Sequence, residues 1–430
     1  MISRAVVGVV AALAVAGYAF IYSSGRAGPP IRSDGFSYYV YLPAWFIHRD
    51  TTLRTTARAC CEGDFPGYTG MFRWPGTRRW VNPHPIGVAL MQAPFFLFAH
   101  AVTWASDLPL DGFSFYYQHA AGISGLFWTI AGLLVLGNLL RRHFSDPITA
   151  ATLVVITFGT NLFHYATYDS GYSHAYSFFL FAAFLNITER WHHAPSRRLS
   201  VLAGIIAGLI VLVRHTNGLF LLVFPLYGVT SLATLRTAAR RLLEHKRHVA
   251  EAAAVAALVI LPQLAIYMAA TGRPIVSAYG ASGFNFSSPH IVEVLFSVQK
   301  GLFFWSPILL AAVAGLVRLW RVQHSARVFV LPAAVFLTVN TWLIACWWDW
   351  QFGGSYGHRG FVDVLAVFAL GLAAVFEWCA GRTSLVAAAG TVSTVAVALS
   401  VFQMLQYWNG TIPFMDTTWE RYLQTFLKWR

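Results

Sequence analysis

The feature that most constrains this chain is a series of apolar stretches, each close to the roughly 20 residues that a helix needs to cross hydrocarbon. They run over residues 1–22, 118–140, 149–167, 172–189, 199–213 and 217–235, and then 250–270, 302–319, 328–347, 361–380 and 384–406. A further apolar stretch covers 86–106. Runs of this length leave a chain two options, a very large buried core or a bilayer. Composition decides between them: 57% of residues are hydrophobic and 11% charged, whereas soluble domains carry about 25% charged residues. The expected fold class is therefore an all-α polytopic membrane protein, a helical bundle in one domain over 1–430.

Charge sets the expected topology. The formal net charge is +13, but the basic residues lie in short loops between apolar runs, at 141–143, 190–198, 236–248 and 318–327. That is the distribution of cytoplasmic loops, not of a nucleic-acid surface, so nucleic acid is excluded as a partner. Two apolar runs separate each consecutive pair of basic loops, which puts every intervening loop on the opposite face. The first run is long for a signal-peptide core and is followed by a poor cleavage site, so it reads as a retained helix with a cytoplasmic N-terminus. Residues 118–140 must then start outside, and 86–106 cannot cross fully; that stretch should lie in the interface or re-enter. The reading gives 11 spans. Residues 25–117 form the first outer loop, with juxtamembrane helices at 38–47 and 86–106. Cys60 and Cys61 are adjacent and are expected as free thiols, since a bridge between neighbours is strained.

The outer face collects the candidates for chemistry. Only 17 residues are acidic, and charge beside hydrocarbon is costly and usually functional. Ser33-Asp34-Gly35-Phe36-Ser37-Tyr38-Tyr39 places Asp34 at the foot of a membrane helix, ahead of the interfacial aromatics Tyr38 and Tyr39. Asp169 stands at the outer end of another helix. Converging on one pocket, two carboxylates could divide the labour, one deprotonating an acceptor hydroxyl while the other orients it or holds a divalent cation. Each also reads as a helix cap or an arginine partner. Arg214 and Lys300 read either as clamps for a lipid phosphate or as snorkelling cations marking loops. In the stretch 347–359, Trp348, Asp349, Tyr356, His358 and Arg359 combine an aromatic platform with glycines that admit a ligand and a terminal cation. His84 stands between two prolines, and His174 five residues after Asp169 could support that acid.

At these residues the chain resembles the GT-C superfamily of integral-membrane glycosyltransferases, and its bacterial family 39-like group. Asp34 with Tyr38 and Tyr39 is similar to the first-loop acid of that superfamily, Pro83-His84-Pro85-Ile86 to a basic, proline-bearing segment, and Asp169 to the second-loop acid. The Trp-rich run ending in Gly-Gly-Ser-Tyr-Gly-His-Arg is similar to one in bacterial members. The resemblance implies a bacterial inner-membrane enzyme with a periplasmic active site. Its donor would be a polyprenyl-phosphate monosaccharide, and its acceptor a hydroxyl of a glycan, lipid or protein. Asp34 would be the base and Asp169 its partner; Arg214, Lys300 and Arg359 would be phosphate clamps. Mg or Mn dependence stays open. So do two other readings, a lipid-linked glycan ligase or polymerase, and a lipid or sugar transporter.

Overall fold

The computed structural model describes residues 1–25, 27–77, 79–276 and 283–429. These residues form a largely helical bundle, and the only regular strands among them are the two-residue pair β1 (Phe72–Arg73) and β2 (Trp80–Val81). Among the described residues, six helical segments are long and apolar enough to cross a bilayer: Ile2–Ser23, Gly87–Ala105, Phe115–Leu140, Lys246–Thr271, Ser325–Cys346 and Thr383–Trp408. The last third of the chain shows why lipid is the solvent. Along Thr383–Trp408, Val386, Val392 and Val395 are all more than half exposed, and a continuous exposed apolar face needs an apolar partner. The chain is a membrane-embedded helical protein.

In chain order, α1 (Ile2–Ser23) leads into α2 (Asp34–Tyr39), which continues through a π-helical turn at Pro43–Ile47. Helix α3 (Arg54–Cys61) ends at a Cys60–Cys61 disulfide, correcting the expectation of two free thiols; both sulfurs fall in its last turn and meet there. Next come α4 (Gly87–Ala105) and α5 (Phe115–Leu140). The run expected over 149–167 is broken at Gly159 to Asn161 into α6 (Asp146–Phe158) and α7 (Leu162–Thr167). Helices α8 (Ser173–His193) and α9 (Arg197–Val213) follow. The expected run 217–235 ends early. A 3-10 stretch and α10 (Val223–Leu226) stop at Gly228, where φ is +76°. A capping box at Ser231 and Thr234 then starts a separate amphipathic helix, α11 (Leu232–Glu244). Beyond α12 (Lys246–Thr271) come the short α13 (Ile291–Phe296) and α14 (Leu302–Trp305). The chain closes with α15 (Ile308–Arg321), α16 (Val330–Cys346), α17 (Leu365–Cys379), α18 (Thr383–Trp408) and the short α19 (Trp419–Thr425).

Polar contacts define two ends. At one, the Met1 amine meets Asp146 at 2.6 Å, Arg142 Nε donates to Glu189 at 2.6 Å, and His143 meets Ser325 at 2.8 Å. Arg241 donates to the His192 carbonyl at 3.1 Å, and His324 lies 3.1 Å from Glu377. All four basic loops and the N-terminus therefore gather at this end. At the other end, Arg32 pairs with Asp169 at 2.8 Å, Asp34 with Arg359 at 2.7 Å, and Lys300 donates to the Phe414 carbonyl at 2.9 Å.

Helix α4 has the length and composition of a crossing helix and packs on α5. It runs antiparallel to the first half of α5: Trp128 Nε1 donates to the Met91 carbonyl at 3.1 Å, and His100 meets Tyr117 at 2.6 Å. Its first residue, Gly87, lies so close to Leu212 and Val213, the final turn of α9, that no Cβ would fit.

Candidate active site at the end opposite the basic loops

Ser33, at φ +48°, turns the chain sharply into α2 and makes Asp34 the first helical residue. An acid there is favoured by the unsatisfied N–H groups of the first turn. Asp34 Oδ2 accepts a hydrogen bond from Arg359 Nη1 at 2.7 Å. Burial pushes the Asp34 carboxyl upward, but the Arg359 charge, its hydrogen bond and His84 outweigh burial and hold it below the ordinary carboxylate range. His84 is itself lowered, first by burial and then by Arg359 and Arg214, against the pull of Asp34. The expected state is a carboxylate beside a neutral imidazole.

Arg359 is delivered by the glycine-bearing loop that follows α16. Phe352, Gly353 and Gly357 there have φ values of +57°, +60° and +59°. A left-handed phenylalanine is strained by about 1–3 kcal/mol, and its placement explains what the strain holds. Two guanidiniums approach the Phe352 ring, Arg214 at 5.4 Å and Arg359 at 5.9 Å from its centroid. Both arginines, the ring, Asp34 and His84 line one cavity of about 460 Å³. Tyr38, Trp347 and Trp348 add aromatic wall, and Asn340, Leu343 and Ile344 of α16 with Trp347 just past its end form one stripe along it. That stripe follows the i, i+3, i+4, i+7 spacing of a helix face.

Eight of the expected site residues meet at this cavity: Asp34, Tyr38, His84, His174, Arg214, Trp348, Asp349 and Arg359. Five do not. Asp169 was expected to converge with Asp34, but it lies outside the lining, with Oδ1 on Arg32 at 2.8 Å and Oδ2 on His164 Nε2 at 2.9 Å. Burial raises its carboxyl, but the His164 hydrogen bond and the Arg32 charge outweigh burial and bring it to about 2. Tyr39 turns away from the cavity, donating to the Gly112 carbonyl at 2.5 Å and packing on Phe96 and Phe113. Lys300 donates to the carbonyls of Ser355 and Phe414, tying the glycine-bearing loop to the C-terminal segment; burial, then Arg359, lowers its ammonium to about 7 against the pull of Asp416. Tyr356 donates to the Ser400 carbonyl at 2.8 Å. His358 is buried against Phe352 and Phe361, and burial drives it down to about 3.

His174 does line the cavity, but its partner is Asp363 and not Asp169: Nδ1 lies 2.8 Å from Asp363 Oδ1. Asp363 Oδ2 also accepts from Asn217 Nδ2 at 2.9 Å and from Arg214 Nη1 at 3.3 Å. Sequence reading missed Asp363 because it sits inside the apolar run 361–380, and missed Asn340 inside 328–347. An acid and an amide within otherwise apolar runs were the available signal.

Among the described residues, no group of three His, Cys, Asp or Glu side chains could hold a metal ion. Asp34, the acid on the cavity nearest the arginines, has its Oδ2 engaged by Arg359 at 2.7 Å. In comparisons with known proteins, the chain matches no family model and no curated sequence.

Proposed function

We propose that the cavity is the transfer site of a membrane glycosyltransferase of the GT-C kind, moving a monosaccharide from a polyprenyl-phosphate donor to an acceptor hydroxyl. The observation that carries this reading is the meeting of Asp34 with Arg214, Arg359 and an aromatic wall in one cavity, at the end opposite the basic loops. Two guanidiniums bridged by a ring suit a phosphodiester, which each can bind through paired N–H groups. When the bond from the anomeric carbon to phosphate breaks, its electron pair stays on the departing polyprenyl phosphate, and the two cations stabilise the growing charge. Trp347 and Trp348 offer faces for the sugar, and the apolar residues of the α16 stripe offer a surface for the prenyl chain. Asp34 orients and polarises the acceptor hydroxyl.

The chain would pass the bilayer 11 times, with α4 returning without crossing. The shared end of the four basic loops and the N-terminus supports a cytoplasmic placement for them. The cavity would then open toward the periplasm of a bacterial inner membrane, where a glycan, lipid or protein could supply the hydroxyl.

The test is a panel of radiolabelled polyprenyl-phosphate sugars presented to the protein in nanodiscs. Wild type should transfer label from at least one donor. Asp34→Asn should lower that rate by about 100-fold or more while eluting as the intact protein. An Asp34→Asn variant at full rate would remove this carboxylate from the reaction.

A further inference from the structure

We infer that His174, held by Asp363, is the group that takes the proton from the acceptor hydroxyl in the transfer reaction proposed above, on which this inference rests. Asp34 lines the same cavity, but Arg359 occupies its Oδ2 at 2.7 Å, which leaves a stabilised carboxylate and a weak base. The imidazole of His174 is arranged differently. Nδ1 is 2.8 Å from Asp363 Oδ1, and a carboxylate at Nδ1 fixes the tautomer that carries its proton there. Nε2 is then the basic nitrogen. It has no hydrogen-bond partner among the described residues, and the residue lines the cavity.

The carboxylate behind it is equally well placed. Asp363 is 1% exposed, and it is fixed by Asn217 at 2.9 Å and Arg214 at 3.3 Å. With His174 on α8, and Arg214 and Asn217 at the end of α9 and the turn after it, two other parts of the chain hold Asp363 in one orientation. Other charged and titratable groups facing His174 are Arg214 beside Asp363, Asp34 and Arg359 on the cavity, and His358 buried behind it. The Tyr165 ring packs edge-on at 5.2 Å. Among the described residues, His84 Nδ1 is buried without a hydrogen-bond partner.

The step balances within the donor and acceptor. The acceptor oxygen bonds to the anomeric carbon as its O–H proton passes to His174 Nε2. The bond between that carbon and the phosphate oxygen breaks, and its electron pair leaves with polyprenyl phosphate. Asp363 keeps Nδ1–H and stabilises the imidazolium without taking the proton. His174 is the catalytic residue here, and Asp363 is a positioning residue.

Two measurements test this in the full-length protein. The first needs no substrate: diethyl pyrocarbonate modifies unprotonated imidazole nitrogens, and labelled peptides identify the site. His174 should react, while His164, with Nε2 on Asp169 and Nδ1 on Trp408, should not. Asp363→Asn can donate to Nδ1 and shift the proton to Nε2, so it should slow modification of His174 about tenfold; Asp363→Glu should restore it. An unreactive His174, or a rate indifferent to Asp363→Asn, overturns the inference. The second is transfer: His174→Gln should cut the rate about 100-fold and erase the acid limb of its pH profile. If His174→Gln keeps rate and limb while Asp34→Asn is inactive, transfer stands and the dyad falls. If wild type uses no donor while labelling depends on Asp363, the dyad stands and the transfer reading falls.

Discussion

Asp34 and Arg359 are separated by 325 residues in sequence and 2.7 Å in space, and this pair sets the character of the cavity. Each alone would be a costly charge beside lipid; together with Phe352 and Arg214 they make a cradle whose cations are held but not consumed. Asp169 is the contrasting acid. Its carboxyl falls from 3.8 to about 2 in the folded chain, so the unfolded chain takes up its proton first as pH drops. Its contribution is complete above pH 4 and lost as pH falls toward 2; at full strength it is about 2 kcal/mol. Asp169→Asn should therefore flatten the loss of thermal stability of the detergent-solubilised protein between pH 4 and 2, and leave stability near pH 7 lower than wild type. At this scale the sequence was legible where a rare acid or cation interrupts an apolar pattern, as at Asp34, Arg214 and Arg359. It was not legible for partners. Nothing local says that His174 turns to Asp363 and not to Asp169, because the choice is made by where α8 and α17 pack.

At the scale of elements, close helix contacts fix the cavity's floor and frame. Gly125 of α5 lies against the Ser170 carbonyl in the turn between α7 and α8, and a Cβ there would overlap it. Gly125→Ala must move the turn that carries Asp169 and leads to His174. A cost of about 1–3 kcal/mol is expected, read as a lower midpoint in thermal unfolding, with no loss for Gly390→Ala on α18, where nothing lies within 4 Å and alanine favours the helix. Long apolar runs such as α5, α12 and α18 were readable because hydropathy alone specifies them. The breaks were not. Residues 149–167 and 217–235 are as apolar as their neighbours, and only the geometry at Gly159 and at Gly228 splits them. That α4 returns without crossing is an expectation from the charges of the loops, which is information outside the helix itself.

The whole molecule is polarised. Its basic loops and amino terminus occupy one end, and the cavity, the α4 hairpin and the C-terminal segment occupy the other. Single cysteines at Asp107 and Gly410, in a background lacking the native four, should be labelled by an impermeant maleimide from the same side of the membrane. Cysteines at His193 and Arg247 should be labelled only from the opposite side. What the cavity holds is the central claim, and a photoreactive polyprenyl-phosphate analogue tests it most directly. Irradiated with the intact protein, the analogue should crosslink to peptides containing Asn340 to Trp348, and Arg214→Ala with Arg359→Ala should abolish that crosslink. Crosslinks confined to other helices, or an undiminished yield in the double variant, would contradict the account.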